Sequence, residues 1–214
     1  MSLSTDTYAW PDEMPTIVYA PPWATQITDE IHPPPYYLNE HRTFNLAQLE
    51  RAAAVKTTAN RERLIVGDDA FVKKHNLQSL YTFQSDRQPL MPPEPGMAGI
   101  MMGLISPDEQ FPPVETVIAR LGANPNVYTY MGVYKFEEIW NGGLSVLQYL
   151  QLPAQTQAHY EQSLIYRAGE GDYPASVFKR KVGIPGGFSA TYPRLRLWKM
   201  IPLICQPPEW LNVE

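Results

Sequence analysis

The sequence predicts an α+β domain, and three observations carry that reading. Val127–Trp140, VYTYMGVYKFEEIW, has the residue types and period of a long strand. Helix and strand signals follow one another without a regular βαβ rhythm, which disfavours a doubly wound fold. Residues 1–38 interleave seven prolines with six aromatic rings. The 214 residues are enough for one large domain with a real core. The division expected is an arm over residues 1–40 and a single α+β domain over 41–214.

Proline blocks regular structure, whereas a disordered tail would be poor in aromatics. The first segment is therefore expected to lie extended on the domain, with Tyr8, Trp10, Tyr19 and Trp23 among its anchors. Asn45 is placed to cap a helix over Leu46–Lys56. Leu64–Val66 reads as a short strand followed by a turn at Gly67-Asp68-Asp69. Phe71–His75 is ambiguous, Ser79–Gln84 is a strand, and a Pro95-Gly96 turn precedes a strand around Ile100–Ile105. Pro112 and Pro113 suit the first turn of a helix running to Leu121, with Gly122 as its stop.

Along the aromatic strand, Tyr128, Tyr130, Gly132, Tyr134 and Phe136 share one parity and so one predicted face. Both faces stay largely apolar until Lys135, as expected for a covered strand near the centre of a sheet. Gly132 leaves a hole among the rings, and a strand glycine often marks a bulge or the close approach of a backbone or ligand. Either neighbouring rings fill the hole as core, or Tyr128, Tyr130 and Tyr134 line a pocket. Ser145 is expected to cap a helix to Leu150, and Pro153 to open a longer one over Ala154–Arg167. Gly169–Gly187 reads as loop. Arg194–Cys205 reads as a last strand, interrupted or edge-placed at Pro202.

Composition narrows the setting. Charged residues are 18%, hydrophobic residues 44%, and there are 22 prolines, so much of the chain is expected in loops or extended segments. No apolar run approaches the ~20 residues that cross a bilayer, and the start, MSLSTDTYAW, lacks the pattern of a secretory signal. Cys205 is the single cysteine and excludes an internal disulfide. No membrane association and an intracellular protein, of cytoplasm or nucleus, are expected. The net charge of −5 argues against a generic polyanion binder. It hides an asymmetry: residues 1–50 carry seven acids against Arg42, and residues 165–200 carry seven bases against Glu170 and Asp172. That basic stretch is either a local anion site or a surface covered by the acidic N-terminal segment.

Candidate chemistry is sparse. His32, His41, His75 and His159 are scattered and form no metal motif. No Gly-x-Ser-x-Gly elbow occurs, and Cys205 lies in an apolar strand where a thiol is usually inert packing. No catalytic residue, cofactor or metal site is assigned. Glu137, Glu138, Asp68 and His159 would have to converge in a cleft to make an enzyme. Lys179, Arg180 and Lys181 precede a loop with Gly186 and Gly187 and are followed by Arg194 and Arg196. Free N–H groups beside five bases make an anion cradle, with a solvated surface loop as the alternative.

The run PGMAGIMMGLIS (95–106), then YTYMGVYKF (128–136), then LSVLQYLQLP (144–153) before YEQSLI (160–165) resembles an uncharacterised domain family of mushroom-forming basidiomycete fungi. The resemblance covers about residues 90–205. The same layout is distantly similar to SRA-type and other PUA-like domains, and it implies a curved mixed or antiparallel sheet, or a barrel, flanked by helices. It further implies that Tyr128, Tyr130, Gly132 and Tyr134 hold a base, while Lys179–Lys181, Arg194 and Arg196 meet phosphates. The function expected is a non-enzymatic binding domain for nucleic acid or a nucleotide-like anion. The alternatives are a protein-interaction module using residues 1–38 and a small-substrate enzyme.

Overall fold

A computed structural model describes residues 20–31, 43–57, 63–84, 88–105, 111–120, 127–139, 144, 146–154, 156–158 and 194–211. Among them, helix α1 (Pro22–Asp29) precedes β1 (Thr43–Asn45), α2 (Leu46–Ala53), β2 (Val55–Thr57) and β3 (Arg63–Val66). Then come α3 (Asp69–His75), β4 (Ser79–Gln84), β5 (Gly99–Ile105), β6 (Val114–Arg120) and β7 (Val127–Ile139). Helix α4 (Val146–Leu150), β8 (Arg194–Ile204) and a short 3-10 turn at Glu209–Leu211 complete the order.

The strands form one mixed sheet in the order β2-β3-β4-β6-β7-β8-β5, with β1 added alongside β7. The β4–β6 pair is parallel and the others are antiparallel. The sheet is open, with β2 and β5 at its ends, so the barrel that the resemblance implied is corrected. Strand β7 is central. It has β6 along one side, and β1 and then β8 along the other, as its two apolar faces predict.

One face of the sheet carries Tyr81, Phe83, Met101, Val117, Met131, Tyr134, Phe136, Trp198 and Met200. The opposite face carries two separate clusters. One joins Leu49 and Ala53 of α2 to Leu64, Leu80, Ile118, Tyr128 and Tyr130, with Phe71 and Trp210 against it. The other joins Ala24 of α1 to Ile100, Met102, Leu152 and Leu197. Helices therefore cover both ends of this second face.

Local chemistry explains most elements. Asn45 Oδ1 accepts from the Gln48 N–H at 2.9 Å, and the Gln48 side chain accepts from the Asn45 N–H at 2.8 Å, a complete capping box. Asp68 caps α3 by accepting from the N–H groups of Ala70 and Phe71, which turns the predicted Gly-Asp-Asp turn into a helix start. Helix α2 stops short of the expected Lys56 because Ala54 takes a left-handed conformation (φ 47°) and Val55–Thr57 joins the sheet beside β3.

Three further expectations are corrected. The helix expected after Pro112 and Pro113 is strand β6. Val114, Thr116, Val117 and Ile118 are β-branched and favour a pleated surface, and the Pro113 carbonyl accepts from the Phe136 N–H at 2.8 Å, continuing the ladder. The extended N-terminal arm is, over its described part, the helix α1: Pro22 sits in the first turn, where its missing N–H is harmless. Ala24, Trp23 and Ile27 then enter the core beside β5 and β8. The helix expected over Ala154–Arg167 is helical at 154 and 156–158, and the rest lies outside the described residues, as does the Gly169–Gly187 loop.

The third correction concerns the aromatic strand. Val117 pairs with Gly132, but Ile118 pairs with Tyr130, so Met131 is an extra residue, a β-bulge. The bulge inverts parity. Tyr128 and Tyr130 face the α2 side, while Tyr134 and Phe136 face the opposite side with Met131. Gly132 supplies the backbone the bulge needs, with φ +129°, and a Cβ there would stand 2.6 Å from the Ile204 carbonyl oxygen. Pro202 is tolerated because β5 pairs with β8 only as far as Met200, and a second register shift falls just beyond Pro202.

Candidate functional site

The three predicted stacking tyrosines are core residues. Tyr128, Tyr130 and Tyr134 are 6%, 3% and 0% exposed, leaving no ring face for a ligand. Burial raises the Tyr130 phenol well above its usual value, with Cys205 adding to the rise. The Tyr134 hydroxyl is committed to the backbone, donating to the Met131 carbonyl and accepting from the Gly96 N–H, both at 3.2 Å.

The face that carries Tyr134 holds a different polar arrangement, assembled from five strands and Phe111. Strand β8 alternates Arg196, Trp198 and Met200 toward this face, and β7 brings Glu138 opposite Trp198. Arg196 Nε donates to Glu138 Oε1 at 2.8 Å and its Nη2 to Oε2, a two-pronged grip. The Arg196 guanidinium also lies 5.2 Å from the centre of the Trp198 ring.

A matching unit stands on the other side of Phe111. Arg63 of β3 lies 5.2 Å from the Phe111 ring centre, and its Nη2 reaches Glu115 Oε1 of β6 at 3.1 Å. Ser79 of β4 donates its hydroxyl to Glu115 Oε2 at 3.2 Å. Three neighbouring strands are thus joined at one buried carboxylate. Burial raises the Glu115 carboxyl above its usual range, outweighing Arg63 and Ser79, which pull it down. Phe111 and Trp198 connect the two units with ring centres 5.4 Å apart, while Tyr81 and Phe136 pack against Phe111 at 5.5 and 4.8 Å.

The result is a row of guanidinium, ring, ring, guanidinium, each cation also held by a carboxylate. Phe111 is half-buried and Trp198 lies beneath the surface, so the accessible parts are the Phe111 ring and the two arginines. Arginine in such a setting binds planar or phosphate-bearing groups through its flat fork of donors.

Of the residues predicted from sequence, Arg196 belongs to this row. Arg194 opens β8. Lys179, Arg180, Lys181, Gly186, Gly187 and His159 lie outside the described residues. Glu137 and Glu138 part company: Glu138 joins the row, while Glu137 points to the other face, 2.6 Å from Lys135 and 3.5 Å from Lys199. Asp68 is occupied as a helix cap. Among the described residues, no group of three His, Cys, Asp or Glu could hold a metal ion, and no helix is long and apolar enough to cross a membrane.

Sequence reasoning missed Arg63, Ser79, Phe111 and Glu115. No local pattern links them, because pairing across β3, β4 and β6 is what brings them together.

No curated protein and no solved structure matches this chain. A family profile does match, over residues 49–191, which takes in β3, β4, β6 and β7 and so the Arg63–Phe111–Glu138 part of the row. The chain belongs to the family described as Domain of unknown function (DUF6697).

Proposed function

We propose that this domain is a non-enzymatic binding module for nucleic acid or a nucleotide-like anion, and that the Arg63–Phe111–Trp198–Arg196 row receives the ligand. The observation that carries this reading is the pair of arginines, each 5.2 Å from one of two adjacent rings. A base stacks on Phe111, an interaction of ~1–3 kcal/mol per base, and phosphates exchange with the carboxylates that hold the guanidiniums. The base-stacking role expected of Tyr128, Tyr130 and Tyr134 passes to Phe111, the accessible ring. The basic residues Lys179, Arg180, Lys181 and Arg194 extend the phosphate contacts in this reading.

Fluorescence anisotropy with labelled single- and double-stranded DNA and RNA at two salt concentrations tests it. Binding should weaken with salt, as phosphate contacts require. Arg196→Ala and Phe111→Ala should each weaken it several-fold, and Arg63→Lys less than Arg63→Ala. Absence of binding at low salt overturns the reading.

Protein capture by the N-terminal segment receives less support, because Ala24, Trp23 and Ile27 of that segment are built into the core. Deleting it should destabilise the fold.

A further inference from the structure

The two arginines of the row are held by carboxylates in different surroundings. The side chain of Glu138, which grips Arg196, is 32% exposed, whereas that of Glu115 is 8% exposed. A phosphate that takes Arg196 leaves Glu138 in contact with water, where a carboxylate stays ionised. A phosphate that takes Arg63, itself 31% exposed, leaves Glu115 as a charge inside the sheet. A buried charge stripped of its partner neutralises rather than remain ionised.

The groups around Glu115, among the described residues, come from β3, β4 and β7. Arg63 of β3 reaches Oε1 at 3.1 Å, and Ser79 of β4 donates to Oε2 at 3.2 Å. Tyr81, two residues beyond Ser79, packs its ring against Phe111 and Phe136. Tyr134 of β7 is the cross-strand neighbour of Glu115, and its hydroxyl is committed to Met131 and Gly96. Arg63 is the cation that favours the ionised form, against burial, which raises the carboxyl above its ordinary range. Ser79 suits either form, since a hydroxyl donates to a carboxylate and accepts from a carboxylic acid.

We infer that ligand binding at the row takes up one proton: the phosphate claims Arg63, and Glu115 draws a proton from solvent to become a neutral acid that donates to Ser79. This inference rests on the nucleic-acid reading of the row and adds its regulation. Affinity then rises as pH falls, because the bound state holds one proton more than the free state. The dependence reaches at most about tenfold per pH unit, between the Glu115 midpoints of the free and the bound protein.

Calorimetry of the full chain with short oligothymidine lacking terminal phosphates is the test, because that probe has no group titrating near neutrality. The titration is repeated at one mildly acidic pH in buffers of different ionisation enthalpy, and the slope of heat against that enthalpy counts the protons taken up. The wild type should show uptake approaching one proton, and Glu138→Gln the same. Glu115→Gln should show none and bind several-fold tighter than the wild type at neutral pH. Arg63→Ala should also show none, since Glu115 is then protonated before the ligand arrives. Thermal melts establish that each variant folds, and the wild-type slope is decisive without them. Wild-type binding with no buffer dependence overturns the inference alone, as does an uptake that Glu115→Gln retains. No binding of oligothymidine at low salt overturns the base-stacking reading of the row, and the inference with it.

Discussion

Tyr134 donates its hydroxyl proton to the carbonyl of Met131, three residues earlier on the same strand, and accepts from the Gly96 N–H. The Met131 carbonyl also accepts from Gly96 N–H at 3.0 Å. The Pro-Gly turn before β5 is thereby tied to the bulge of β7, where the two faces of the aromatic strand change places. Tyr134→Phe keeps the ring and removes this tie. A loss of about 1 kcal/mol, read by urea unfolding, is expected for a buried hydrogen bond whose acceptor keeps a second donor.

Gly132→Ala should be the most damaging single change. Its φ of +129° suits glycine alone, and the new Cβ would meet the Ile204 carbonyl at 2.6 Å, on backbone that cannot swing away. Strain of this kind costs ~1–3 kcal/mol before the clash is counted. Denaturant melts should show at least that loss; a neutral result would mean that the bulge relaxes or is absent.

Glu115 gives the stability a defined pH dependence. Burial raises its carboxyl above the ordinary 4.5, against the pull of Arg63 and Ser79. The native state therefore holds this proton more tightly than the unfolded chain does. The contribution is complete below pH 4.5 and is lost as pH rises through the elevated native value. Glu115→Gln removes the term, so its stability should fall less than the wild type's between pH 4.5 and neutrality. Parallel slopes for the two proteins would refute the assignment.

Glu137 titrates in the opposite sense. The Lys135 hydrogen bond is the main cause of its lowered value, opposed by slight desolvation, with the charges of Lys135 and Lys199 helping. Its small stabilising contribution is present above pH 4.5 and is lost as pH falls through the lowered value. Lys135→Ala should move the Glu137 midpoint back upward in an NMR titration, with Lys199→Ala producing a smaller shift.

Asn45→Ala opens the capping box of α2 and should cost ~1 kcal/mol. Asn45→Asp keeps an acceptor at the cap and should restore most of it. The comparison by thermal melt separates the cap from the pairing of Asn45 with Val127 in the sheet.

Local chemistry wrote much of this fold into the sequence. The Asn45 cap, the Ser79–Gln84 strand and the central position of the aromatic strand are all legible, because each depends on neighbours a few residues apart. Pro112-Pro113 misled, since proline opens strands as well as helices and only the pairing with β7 and β4 decides between them. Tyr134 shows the limit more sharply. Period-two reading puts it beside Tyr130, but one extra residue at Met131 turns it to the other face, and the need for that residue lies in pairing with β6. Arg63, Phe111 and Glu115 are likewise unremarkable in sequence, and Arg196 stands out there only as one of a run of basic residues. Only the strand order brings two cations and two rings into one row, because pairing across a sheet joins residues that chain distance keeps apart.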